Sequence, residues 1–149
     1  IYLLALASWL GSMVFFIVTT ATIFGTLPLP DAGKVLAALF PRYYLLGYIA
    51  GIVASLLAIY FTISFAPRLW WGFSSLALLI ALGLTLYAGV IIRPRVDAIR
   101  TVNEEPNPDP ARKAEFDRLH QLSVRLNGAV IILNLIALAT TATAVTRHS

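Results

Sequence analysis

The residues best suited to chemistry lie on one face of the last helical segment. Phe116, His120, Ser123, Asn127, Asn134 and Thr141 recur three, four or seven residues apart, and at about 100° per residue they share a sector of about 60°. An imidazole followed one and two turns later by a hydroxyl and a carboxamide could hold a ligand or pass a proton. It could also ligate a haem or a chlorophyll-type pigment. Ser, Thr and Asn equally serve hydrogen bonds between transmembrane helices, and Asn134 and Thr141 are read that way. Arg125 points away from the stripe and suits an anchor that reaches back to headgroups.

A second set gathers at the other helix ends: Pro41, Arg42 and Tyr43 before one apolar run, Arg95 and Asp97 after another. Their charges suit lipid phosphate or a bound anion, and the prolines suit helix boundaries. Ser123 and His120 make a poor hydrolytic pair, being three residues apart on one helix with no acid on that face to orient the imidazole. The absence of cysteine removes disulfides, thiolate metal sites and cysteine nucleophiles. With Met13 the only other sulfur, the sequence predicts no metal site. A bis-histidine haem site would need His148, at the opposite chain end.

These residues must be positioned by membrane helices. The 149 residues are 59% hydrophobic and 12% charged, with a mean hydropathy of +0.83. Uncharged runs extend from Ile1 to Pro30, Tyr43 to Pro67, Leu69 to Ile92 and Leu126 to Thr146, each long enough for the ~20 residues that cross a bilayer. The first run exceeds the about 7 to 15 apolar residues of a signal peptide, so it is read as a retained helix. The expected fold is an all-α integral membrane four-helix bundle forming a single membrane domain over 1–149.

Transmembrane segments are expected at 1–27, 43–65 and 69–92. A short interfacial helix is expected at 31–40, between the first two segments, where Val35, Leu36, Leu39 and Phe40 oppose Lys34. Gly47, Gly51 and Ser55 recur every fourth residue and would let helices approach closely. A polar loop is expected over 93–109. A long helix with the fourth span follows at 110–145, capped by Asp109 and Pro110 and projecting about three turns beyond the bilayer. Nine basic residues then lie on the side of the two long connections, against Arg68 and Arg147 opposite. By the positive-inside rule, 28–42 and 93–119 are cytoplasmic and both termini lie across the membrane. The basic residues flank membrane segments and no soluble recognition module is present, so nucleic acid is not an expected partner.

The segments Leu39-Phe40-Pro41-Arg42-Tyr43-Tyr44, Pro94-Arg95 and Phe116-Asp117-Arg118-Leu119-His120-Gln121-Leu122-Ser123 with Asn127 resemble the transmembrane protein 205 family, including its bacterial members of unknown function. Trp9-x-Gly11 and Phe15-Phe16 also fit. The resemblance covers nearly the whole chain. It implies a four-helix fold, a bacterial inner membrane and, for eukaryotic members, a link to platinum-drug resistance; it implies no reaction. Soft-metal transport through sulfur ligands does not suit a chain with one methionine.

Two functional readings follow. The first is a non-enzymatic membrane protein, either an accessory subunit of a larger complex or a homo-oligomer, or a bundle that handles a small molecule or ion. Spans without an acidic residue lack an evident proton relay. The second is a haem- or pigment-binding oxidoreductase using His120, because HemJ and copper-resistance D proteins share a Trp-x-Gly first helix and similar size. No cofactor is required by the sequence.

Overall fold

A computed structural model describes residues 1–147, with the side chains of Asn103 and Glu104 left aside. His148 lies outside the described residues. Helix α1 spans Tyr2–Thr26, α2 Leu29–Ser64, α3 Arg68–Tyr87 and α5 Pro110–Thr146. A π-helical turn, Ala88–Ile92, leads from α3 into α4, Arg93–Ile99, and a 3₁₀ stretch, Arg100–Glu104, follows. Among the described residues four helical stretches, α1, α2, the run Arg68–Val102 and α5, are long and apolar enough to cross a membrane. Even the shortest, α1, measures about 37 Å at 1.5 Å per residue, more than the hydrocarbon core.

The side-chain sizes are distributed as a lipid solvent requires. Ala54, Ala58, Ala81 and Ala137 are fully buried, while Leu4, Phe15, Leu56 and Ile63 are more than 60% exposed. Small residues inside let backbones approach, and large apolar ones outside meet acyl chains. In water such an exterior would be an aggregating surface. The chain is therefore an all-α four-helix membrane bundle. Its α3 packs along both α2 and α5, and α1 lies chiefly on α2.

Trp9 of α1 is the centrepiece of the α1/α2 contact. A Cβ on Gly51 would come within 2.9 Å of the Trp9 ring and 3.1 Å of Leu82, and one on Gly47 within 3.4 Å of Trp9 Nε1. Gly47, Gly51 and Ser55 are all buried within the bundle. At the end where α1 begins, polar bonds join three helices. Tyr2 Oη and Thr141 Oγ1 are 2.8 Å apart, and Ser74 Oγ lies 3.1 Å from Thr141 and donates to the Ala137 carbonyl at 3.2 Å. Asn134 behaves differently from the interhelical donor expected of it. Its Nδ2 donates to the Val130 carbonyl one turn back, and its buried Oδ1 has no partner among the described residues.

Two boundaries differ from the sequence expectation, both at prolines. The segment 31–40, expected as a separate interfacial helix, is the beginning of α2, which runs through Pro41 without a break. Proline removes the N–H that would bond the carbonyl four residues back. That carbonyl, Ala37 O, accepts instead from Arg93 Nη2 at 3.2 Å. At the next residue, Arg42 Nη1 donates to the Ala38 carbonyl at 2.8 Å. Side chains thus supply donors around the proline, and the helix continues. Likewise 93–99, expected as loop, is the helix α4. Here the Arg93 N–H bonds the Ala88 carbonyl five residues back, and the widened π turn clears the Pro94 ring that would strike a tighter helix. Asp109 caps α5 as anticipated, accepting from the Ala111 N–H at 3.0 Å.

Candidate functional site

The π turn determines where Arg93 points. Gly89 within it packs so closely that a Cβ there would meet Tyr44 Cδ1 at 2.7 Å and also strike the Tyr48 hydroxyl. The α2 tyrosines therefore lie directly on the α3 backbone, and Arg93 emerges one turn later against α2. Its guanidinium bonds Ala37 O, pairs with Asp97 at 3.1 Å and sits 5.7 Å over the Phe40 ring. Its buried Nε has no partner among the described residues.

Arg93 lines a cavity of about 160 Å³ bounded by residues of α1, α2, α4, the 3₁₀ stretch and α5. From α1 come Thr20 and Phe24, from α2 Leu36, Phe40 and Tyr44. The α3–α4 stretch and the turn after it add Val96, Asp97 and Arg100, and α5 adds Phe116, His120 and Ser123. The lining is mostly apolar, with a cationic edge. Thr20 Oγ1 is a second buried polar atom without a partner among the described residues.

On α5, His120 stacks on Phe116 with ring centroids 6.0 Å apart and planes 4° from parallel, and Lys113 Nζ lies 5.6 Å from the centroid of the Phe116 ring. His120 itself is exposed at the rim. Ser123 faces Tyr44 across the cavity. One turn deeper, Tyr43 Oη donates to Asn127 Oδ1 at 3.0 Å, joining α2 to α5. Phe16 of α1 stacks on Tyr43 at 4.2 Å, so an aromatic layer floors the site.

The structure thus brings Asp97, Phe116, His120 and Ser123 into one cavity and places Tyr43 and Asn127 beneath it. Pro41, Arg42 and Arg95 are exposed and do not line it. Arg93, Arg100, Thr20 and Tyr44 escaped the sequence reading as site residues. For Arg93 two signals existed: a proline inside a helical pattern frees a carbonyl that needs a donor, and Arg93-x-x-x-Asp97 has the spacing of a helical ion pair.

Most carboxylates at this end are already paired. Asp31 bonds Lys34, Glu105 bonds Arg112, Glu115 bonds Arg118, and Asp117 bonds Lys113. Among the described residues no carboxylate pairs with Arg42, Arg95, Arg100 or Arg125, so the end carries uncompensated positive charge. No group of three or more His, Asp or Glu side chains is placed to hold a metal ion among the described residues.

No curated protein and no solved structure gives a match to this chain. Residues 4–105 match the family described as a domain of unknown function, DUF4149. That region covers α1 to α4 and the 3₁₀ stretch, including Arg93, Asp97 and Arg100, and stops before the α5 wall of the cavity. With about two thirds of its length matched, the chain belongs to the DUF4149 family.

Proposed function

We propose that this integral membrane protein is a binding bundle rather than an enzyme, and that it holds a small amphipathic molecule in the cavity at its basic end. The observation that carries this reading is the convergence of apolar wall and cationic edge in one 160 Å³ space to which α1, α2, α4 and α5 contribute. Pockets that take whole drug-sized ligands are about 300–1,000 Å³. A space of this size suits a headgroup or a short segment, with the remainder of the molecule lying in lipid.

Catalysis finds less support in the same geometry. His120 is exposed, its neighbour on the ring face is Phe116, and Asp97 is occupied by Arg93. A haem or pigment site finds little either. The cavity is small for a macrocycle, and His120 is the single histidine among the described residues. An accessory-subunit role finds no support at Gly47 and Gly51, which are covered by Trp9 and by Thr85 and Leu82 of α3, or at Ser55, which is buried within the bundle. A role of the type found in the transmembrane protein 205 family, without a reaction, fits the binding reading. We further propose that the basic end is cytoplasmic, on the strength of its charge excess.

Native purification in mild detergent, followed by identification of bound small molecules, pigments and proteins, tests the reading. A copurifying small amphiphile that disappears when Ser123→Leu fills the cavity is the expected result. A stoichiometric protein partner, or a Soret or chlorin band abolished by His120→Ala, would overturn it.

A further inference from the structure

The cavity has a chemical polarity that narrows its ligand. Resting on the reading that it is a binding site, we propose that its ligand is the anionic head of an acidic membrane lipid. In this arrangement Arg100 and Arg93 donate to the phosphate, and the phenylalanine wall takes the first carbons of the chain.

Three observations carry this. The first is the charge balance inside the cavity. Asp97 neutralises Arg93 at 3.1 Å, which leaves Arg100 as a whole positive charge with no described carboxylate to answer it. A guanidinium edge in a mostly apolar cleft is stabilised by an oxyanion, for which its planar fork is preorganised. The second is the pair of unmatched buried polar atoms, Arg93 Nε and Thr20 Oγ1, both on residues of the lining. Each can donate, and a buried donor without an acceptor costs more than one that finds an oxygen. Both call for an acceptor oxygen in the cavity, and the charge on Arg100 favours one that belongs to an anion.

The third is position. Phe24 and His120 form an exposed edge of the cavity, and Phe24 belongs to the last turn of a membrane-spanning helix. An opening there lies at headgroup depth, where a lipid can enter sideways with its phosphate level with the arginines. Arg42, Arg95 and Arg125 on the surrounding surface, none paired with a described carboxylate, raise the local concentration of acidic lipid. A soluble phosphate shares the head chemistry but has nothing for Leu36, Phe40 and Phe116.

The test uses the full chain in a neutral detergent. Thermal unfolding and native mass spectra are recorded with short-chain phosphatidylglycerol, short-chain phosphatidylcholine and inorganic phosphate. Phosphatidylglycerol should raise the unfolding midpoint and remain bound in the spectrum, with phosphatidylcholine at least tenfold weaker. Arg100→Gln should weaken phosphatidylglycerol by roughly tenfold or more, the worth of one charge-assisted hydrogen bond. Its own midpoint without lipid should stay near that of the parent, because Arg100 has no described ion-pair partner to lose. Equal binding of both lipids, or an unchanged affinity in Arg100→Gln, would overturn the anionic assignment. A response to inorganic phosphate as strong as to the acidic lipid would overturn the lipid source. Ser123→Leu and Val96→Phe, two independent fillings, separate this inference from its premise. Charge-indifferent amphiphile binding that both fillings abolish refutes the anionic head alone. Binding that neither filling touches refutes the cavity as a site.

Discussion

Tyr43 and Gly51 show how single residues hold this bundle together without burying charge. The Tyr43 hydroxyl is the donor to Asn127 across the α2/α5 contact, so Tyr43→Phe should cost about 0.5–1.5 kcal/mol in thermal or denaturant unfolding. Gly51 has no room for even a methyl group without moving Trp9. Gly51→Leu should therefore cost at least ~1–3 kcal/mol by overpacking. Gly11→Ala, in open space on the outer face of α1, should show no loss. Equal midpoints for the two glycine variants would refute this packing account. At this scale the sequence was partly legible. The fourfold spacing of small residues marked a close contact, but only the fold identifies Trp9 as its occupant. His120, Ser123 and Asn127 could be placed on one face by helical periodicity. Periodicity says nothing of which partner helix that face meets, so Tyr44 and Thr20 stayed invisible.

The helix boundaries turn on two prolines and one arginine. Pro41 and Pro94 were natural stops by local chemistry, since each removes a backbone donor and crowds a carbonyl. The chain overrides both, by a borrowed side-chain donor at Pro41 and a widened turn at Pro94. At Pro41 the compensation depends on a residue more than fifty positions away, beyond the reach of any local pattern. It also yields a coupled prediction. Arg93→Met leaves Ala37 O without its donor and should destabilise by about 1–3 kcal/mol. In a Pro41→Ala background the backbone supplies that donor, and the same change should cost measurably less. A double-mutant cycle on unfolding free energies reads the difference directly. Strict additivity of the two changes would show that the Arg93 contact does not serve the proline.

For the molecule as a whole, the four spans were legible because the uncharged runs and their lengths leave little choice in a bilayer. The direction of insertion is a separate matter, carried by charge alone. The chain contains no cysteine, which gives a clean background for single-cysteine labelling. Asn107→Cys on the polar connection should react with a membrane-impermeant maleimide only after the cytoplasmic side is opened. Leu69→Cys, at the start of α3, should react from the other side. The reverse pattern would invert the topology. The cavity lies between these levels of organisation, with walls from α1, α2, α4 and α5, so it could not be read from any one of them.

Photo-crosslinking tests the central claim most directly. A diazirine-bearing anionic lipid is added to the full chain in bilayers, and the modified residues are mapped by mass spectrometry. Saturable labelling concentrated on Phe24, Leu36, Val96 and Phe116, competed by unlabelled acidic lipid, is the expected result. Labelling spread over lipid-facing residues such as Phe15 and Leu56, with none in the cavity, would contradict it.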